Sequence, residues 1–378
     1  MGAQFGFKLW WTYFVLGIAG WALIDMSVRY FLQHGKTPMS IFKDVHPVFS
    51  VYMFVSIVVC AIFGSYSQWN ACAMVIAGLL PGIPVEIGGA LAALVGLTFL
   101  ITGAYKSLER VFIFGLVALI ICFFGSALMA GLPWGEAAAG LVPNAPGEGW
   151  FPLFMSNAGS MINAWLILIY PYTMIERKMY SHDLQEKVNL HKRARLDYAW
   201  GILAAGLVAL PLMAAANAVA RPFGIVPRNY MDLSILLEPL AGPASTWLFL
   251  FGLLLAAWTA GVGWWLGGCY ALMDMFNLPI KLDSKPTRIC LILMFIPSTL
   301  LLLLRINPVY QILIFAAFLA VVFPVIGLVL LWRVTRPDMG YFRWSLQSPQ
   351  GIAIVIVDVF AVALSIYIGW VQIGKLLS

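Results

Sequence analysis

Residues 156–178 read SNAGSMINAWLILIYPYTMIERK, one hydrophobic block that changes character halfway. Its second half is membrane helix, rich in Leu, Ile and aromatics and closed by the basic pair Arg177–Lys178. Its first half is not. Ser156, Asn157, Ser160 and Asn163 stand where lipid-facing leucines would be cheaper, with Gly159 among them. A helix in a bilayer can break only where the freed backbone groups line a cavity or are covered by protein. In transporters such breaks hold the ion or solute near the midplane. A lone polar residue in a membrane helix mostly bonds a neighbouring helix. Four within eight residues, beside a glycine, predict a break and a binding site, with Gly159, the Ser/Asn cluster and Pro171 as the means to break.

Composition supports the membrane reading. Of 378 residues, 62% are apolar and 10% charged, whereas a soluble protein carries roughly a quarter charged residues. The apolar residues fall in blocks of about 20, the length that spans a bilayer core. Cys60, Cys72, Cys122, Cys269 and Cys290 are scattered through those blocks without CxxC or Cys/His spacing, and read as small buried hydrophobes. No Gly-rich phosphate loop or soluble domain is present, so the sequence implies no ATP, no cofactor and no enzyme.

Ten candidate spans lie at roughly 8–32, 47–78, 84–104, 108–131, 151–176, 196–219, 244–275, 287–305, 309–333 and 351–374. The longer connections are the polar 179–195, the Pro/Gly-rich 132–149, and 220–243. Lys and Arg sort between alternate ends: 17 of the 22 fall on one side, leaving Lys8, Arg221, Arg228, Arg305 and Lys375 on the other. The positive-inside rule makes the first side cytoplasmic. This asymmetry accounts for the net charge of +6 without a nucleic-acid partner. It also puts Met1 and Ser378 both outside, and the simpler expectation is one further helix upstream of Met1, giving eleven spans.

The ordered segments GAQFGFKLWW (2–11), HGKTP (34–38), GAYKSLERVFIFGLVALIICF (103–123), LPWGEAAAGLVP (132–143), KRARLDYAWGILAAGLV (192–208), LLEPLAGPASTWLFLFGLLLAAW (236–258) and NPVYQILIFAAFLAVVFPVIG (307–327) together resemble the Nramp family of divalent-metal transporters, including its divergent magnesium-transporting relatives. The resemblance covers nearly the whole chain. It implies an all-α, leucine-transporter-like fold of two inverted five-helix repeats. Residues 1–131 would be the remainder of the first repeat, 132–149 an extracellular loop, 150–333 the second repeat, and 351–374 an extra C-terminal helix of a single domain, 1–378. The opening stretch would be the unwound first helix of the second repeat. The helix expected upstream of Met1 would be its partner, the one that carries Asp-Pro-Gly-Asn in the family. Charge asymmetry and resemblance thus both suggest a chain that begins late, as a fragment or through a misplaced start.

The resemblance also implies a site and its departures. Asn163 stands where metal-selective members carry a methionine, a soft ligand for manganese, iron or cadmium. An amide oxygen is hard and suits magnesium or calcium. Ser160 stands where the family offers a backbone carbonyl, so Asn163 and Ser160 are the implied metal ligands, with Asn157 and Trp165 completing the substrate site. Ala164, Trp165 and Leu166 replace a Pro-His-Asn. SYSQWNACA (65–73) has Tyr66 and Trp69 where the family has acids for proton transfer, and Ala316 stands for a metal-closing glutamine.

Other candidates read as structural. Asp25 is deep in its span but four residues from Arg29, an i,i+4 pair. Glu86 opens a helix after Pro84, where the helix dipole favours it, and Glu109 lies between Lys106 and Arg110 at a helix start. Arg195 and Asp197 open a helix and would fix a gate. Trp264–Trp265 in GVGWWLGGC would pack between helices, with small neighbours allowing close approach. His34, His46, His182 and His191 lie in or near loops. Asp358 is the lone charge in the last span, facing either a pore or a peripheral contact.

The sequence therefore predicts a multi-pass inner (plasma) membrane transporter whose substrate is a divalent cation, magnesium or a similarly hard ion ahead of manganese, without proton coupling through the third family helix. The rivals are an organic-solute transporter of the same fold and a truncated, non-transporting membrane protein. Oligomeric state is not encoded legibly.

The charge asymmetry makes a direct prediction. Gln185→Cys should resist impermeant thiol reagents in intact cells, and a cysteine appended after Ser378 should react; reversed labelling overturns the orientation.

Overall fold

A computed structural model describes residues 1–345, apart from 81, 104, 162–163 and 226–230, together with residue 352. The described residues are almost entirely helical. The main helices are α1 (Trp10–His34), α2 (Pro38–Val45), α3 (Pro47–Leu79), α4 (Val85–Thr102), α5 (Tyr105–Met129), α6 (Trp150–Met161), α7 (Ala164–Glu176), α8 (Leu184–Ala215), α9 (Ser245–Met275), α10 (Lys285–Leu300) and α11 (Pro308–Val334). Short helical turns fill the connections, among them Trp134–Ala139, Met231–Leu237 and Pro337–Phe342. Six helical stretches among the described residues are long and apolar enough to cross a membrane.

Local chemistry sets the boundaries. In HGKTP, Gly35 ends α1 in the left-handed conformation (φ 64°), its amide donating to the Phe31 carbonyl at 2.8 Å. A Cβ there would lie 2.6 Å from the Tyr180 hydroxyl, so both conformation and space require glycine. Pro38 and Pro47 open α2 and α3, where the missing N–H costs nothing. Asp183 caps α8 by accepting from the Glu186 amide at 2.8 Å, and Ser284 caps α10 from the Thr287 amide at 3.3 Å.

Two expectations need correction, and two fall outside the described residues. Residues 156–161 are helical, and Gly159 and Pro171 both lie inside helices, so neither is a break. Proline removes only its own N–H, and buried Ile167, Leu168, Tyr172 and Met174 pack the helix on both sides of Pro171. Residues 162–163, between α6 and α7, lie outside the described residues, and the expected break at Asn163 falls there. The supposed loop 179–195 is helical from Leu184 onward, because the Asp183 cap starts α8 twelve residues before its apolar part. The last span, 351–374, with Asp358, lies outside the described residues but for residue 352.

Packing gathers the helices into three cores. One core joins α3, α4, α9 and α10. A second joins α1, α2, α6, α7, α8 and α11 and takes in Met53 and Ile57 of α3 and Tyr270 and Ala271 of α9, and a third lies around α5, the end of α8 and the start of α9. In the first, Trp69 of α3 and Trp265 of α9 meet with ring centroids 4.7 Å apart. Glycines make this possible: a Cβ at Gly261 would come within 2.7 Å of the Trp69 ring, and one at Gly64 within 2.6 Å of the Trp264 ring. The Trp264–Trp265 pair thus packs between helices against small neighbours, as its sequence indicates, and Trp264 also meets Phe315 of α11 edge-on at 5.4 Å.

Overpacking this crossing should cost about 1–3 kcal/mol. Gly261→Val should lower the thermal midpoint of the purified protein. Gly263→Ala, two residues away with nothing within 4 Å of the added carbon, should leave it unchanged or raise it. Equal midpoints for the two variants would show that the Trp–Gly fit is not what holds α3 to α9.

Candidate functional site

The polar cluster of the opening stretch is partly resolved into contacts. Asn157 is buried on α6, and its amide donates to the Thr12 hydroxyl of α1 at 3.1 Å. Thr12 in turn donates to the Leu9 carbonyl at 2.6 Å. Asn157 therefore ties α6 to the first turn of α1, the cross-helix role expected of a single membrane amide. Ser160 and Trp165 lie on the described backbone of α6 and α7, but their side chains, like all of Asn163, lie outside the described residues.

The α3 segment 65–73 carries a neutral polar cluster. The Asn70 amide donates to Gln311 Oε1 at 2.8 Å and to the Ile306 carbonyl at 2.9 Å, joining α3 to the start of α11. The Tyr66 hydroxyl, Trp69 Nε1 and Gln311 Nε2 are buried nearby without a partner among the described residues. An unmade hydrogen bond on a buried donor costs ~1–3 kcal/mol, so these groups are suited to meet a polar solute or water. No three His, Cys, Asp or Glu side chains among the described residues converge as they would to hold a metal ion.

Carboxylates gather instead at the Lys/Arg-rich end. Asp25 of α1 is fully buried and accepts from Arg29 Nε at 2.6 Å, from the Tyr198 hydroxyl, and pairs with His191 Nε2 at 2.7 Å. Arg195 Nε stands 3.8 Å away. The expected Asp25–Arg29 pair is present, but it is half of a cluster that binds α1 to α8. Arg29 also reaches the Phe342 carbonyl at 3.4 Å and lies over the Trp344 ring, adding the segment after α11. His191 is thus not a loop residue but a buried helical one. Residues 191, 195 and 198 recur at i, i+4 and i+7, one helix face, and that spacing was the available signal.

Asp274, near the end of α9, was not singled out by sequence. Its Oδ2 accepts from the Tyr172 hydroxyl of α7 at 2.7 Å and from the Met39 amide at 2.9 Å. It therefore caps the N-terminus of α2 from a different helix and holds α7 as well. Tyr270, one turn earlier, donates to Glu176 of α7 at 3.1 Å. At the end of α11, Arg333 makes a two-pronged bond to Asp338 at 3.0 and 2.7 Å. That guanidinium holds the Asp338 carboxyl below the usual carboxylate range, against a weaker effect of desolvation. For Asp44 burial pushes upward, but bonds from Tyr30 and Lys36 prevail and hold its pKa below the usual value. Glu86, at the start of α4, pairs with Arg305, and Asp197 accepts from Tyr170 at 2.9 Å. All five cysteines are free thiols, four of them buried. A cavity of about 580 Å³ opens between the ends of α4 and α7 and the α9–α10 connection, lined by Glu176, Lys178, Lys281, Asp283 and Arg288 among others.

A family model described as natural resistance-associated macrophage protein-like (Nramp) matches residues 1–371. A divalent metal cation transporter, MntH, of Acidiphilium cryptum (strain JF-5) is 22% identical over 343 residues, 89% of this chain and 77% of the relative. The manganese transporter of Eremococcus coleocola, in complex with an aromatic bis-isothiourea substituted compound, superposes with a TM-score of 0.74 at 15% identity, over 95% of this chain and 80% of that one. A histidine-to-alanine mutant of the same transporter superposes with a TM-score of 0.75 at 14% identity, over 100% and 83%. The all-helical fold is therefore that of the solved manganese transporters, of leucine-transporter type.

Removing the Asp25 carboxylate leaves Arg29 and His191 facing each other in a buried site. Asp25→Ala should destabilise the purified protein by roughly 3–5 kcal/mol, and Asp25→Asn, which keeps an acceptor, by less. Thermal unfolding of both variants checks this; a drop for Asp25→Ala no larger than for an exposed alanine substitution would remove the cluster from the account.

Proposed function

The chain belongs to the Nramp family, and on that premise we propose that it is a secondary transporter that carries a divalent cation across the plasma membrane, selecting magnesium or a similarly hard ion over manganese. The observation that supports transport is the family match over residues 1–371, on a fold that is that of solved manganese transporters. The preference for a hard ion is argued from Asn163. Its amide oxygen stands where metal-selective members place a thioether, and oxygen donors suit ions that hold their water tightly. Asn163 and the Ser160 carbonyl are proposed as ligands of the ion or its water shell, with Asn157 and Trp165 flanking them. The manganese transporters share only 14–15% of residues with this chain, which carries their fold but not their choice of ion.

The carboxylate ties fit the alternating access expected of this fold. Asp274 joins α7 to α9 and α2, so α7 cannot move against the scaffold without loosening the Tyr172 and Tyr270 bonds. Asp25 does the same for α1 against α8.

In proteoliposomes of the full-length protein, Asn163→Met should raise manganese or cadmium uptake relative to magnesium severalfold, because sulfur prefers softer ions. If Asn163→Met and Asn163→Ala leave all cation uptake unchanged, the site lies elsewhere. A pH dye trapped in the same liposomes should show no acidification during cation entry, since 65–73 offers no carboxylate. Acidification that tracks entry and vanishes in Asp358→Asn or His191→Ala would replace uncoupled transport with a proton route through those residues.

A further inference from the structure

Beside the Asp25 cluster, the exposed side of α1 and α8 carries a groove of about 610 Å³. Its walls are apolar and exposed, with Ile18 on one side and Leu203 and Leu207 on the other. Gly206 hollows its floor: an added Cβ there would meet nothing within 4 Å. At one end the lining changes to Trp21 and Arg195. We propose that this groove is a binding site for an anionic phospholipid, with an acyl chain along the groove and the headgroup phosphate on Arg195.

Length supports the chain. The groove runs along α8 from Arg195 to Leu210, which at 1.5 Å per residue is roughly 22 Å. That exceeds half of a bilayer core of ~30 Å, so one leaflet's acyl chain fits within it. Charge supports the headgroup. Arg195 donates no hydrogen bond among the described residues, and its side chain keeps 38% of its surface exposed. Its guanidinium lies 4.7 Å over the Trp21 ring, which holds the fork in place at the groove mouth. Asp25, at 3.8 Å, does not consume it, because Arg29, His191 and Tyr198 already serve both carboxylate oxygens. A guanidinium with free donors matches a phosphate in charge and geometry. Lys192 and Arg193 are exposed on the same turn of α8, and Trp200, also exposed, suits the headgroup level. The Lys/Arg-rich end faces the cytoplasmic leaflet by the charge rule, the leaflet that concentrates anionic lipid. The nearby acid on this face, Asp197, is bound by Tyr170. Arg195 is thereby shared between the lipid and the Asp25 cluster, which places a headgroup one residue from the tie between α1 and α8.

The test is lipid retention, which does not depend on which ion the protein carries. The full-length protein is equilibrated in vesicles of equal phosphatidylglycerol and phosphatidylcholine, extracted, and its bound lipid counted by native mass spectrometry. The native protein should keep phosphatidylglycerol in preference. Arg195→Gln should lose about fivefold of that preference while keeping lipid, and Arg195→Lys should restore part of it. Gly206→Trp, whose Cβ meets nothing within 4 Å and whose ring would occupy the groove, should lose retention of both lipids at unchanged helicity and elution volume. Should Gly206→Trp not fold, Leu203→Gln, which makes the groove wall polar, reads the same loss. An unchanged preference in Arg195→Gln overturns the headgroup assignment. A disulfide from Gly206→Cys to a cysteine placed in 351–374, or to a second copy, overturns the lipid in favour of a protein occupant.

Discussion

The crossing of α3 and α9 is the fit on which the rest of the helix arrangement depends. Lipid offers helices no hydrophobic reason to associate, so close packing must hold them together. Here Trp69, Trp264 and Trp265 supply the bulk, and Gly64 and Gly261 supply the space. Gly96 of α4 receives the same Trp69 ring, a Cβ there lying 3.0 Å from it, so one tryptophan sets the spacing of three helices. The scaffold so built carries the polar groups of α3 on one side and Asp274 of α9 at its end.

Charge is placed by a second constraint, the cost of an unpaired ion away from water. Each buried carboxylate at the basic end is met by several donors drawn from more than one element: Asp25 by α1 and α8, Asp274 by α7 and α2. A carboxylate satisfied in this way resists any motion that separates its donors, since breaking a buried pair leaves an uncompensated charge. The same groups that stabilise the structure therefore mark where helices must part if the fold is to alternate its access. The first turn of α1 and the start of α11 are different. Around Asn157, Asn70 and Gln311 the polar groups are neutral amides and hydroxyls, whose bonds exchange at lower cost.

Much of this was legible in the sequence. Nine of the ten expected spans coincide with described helices to within a few residues at most ends, because a 20-residue apolar run in a bilayer has no alternative to helix. Gly35, Pro38 and Pro47 stand at helix boundaries through backbone constraints that neighbours cannot override. The Asp25–Arg29 pair followed from helical spacing, and the Trp264–Trp265 packing from the glycines around it. The ordered motifs identified the family that the comparison over residues 1–371 shows.

What failed were inferences that treated a residue by its own chemistry alone. Gly159 and Pro171 permit a break but do not compel one: both lie inside helices, and buried Ile167, Leu168, Tyr172 and Met174 pack around Pro171. His191 reads as a loop residue until the Asp183 cap extends α8 past it and α1 brings Asp25 to 2.7 Å. Asp274 gave no signal because its partners, Tyr172 and Met39, are 102 and 235 residues away along the chain. The sequence by itself determined the helices, most of their ends and their family, since these follow from local backbone energetics and the absence of water. Only the tertiary structure decided which buried charges meet, because hydrogen bonds act over about 3 Å and chain position does not encode that distance.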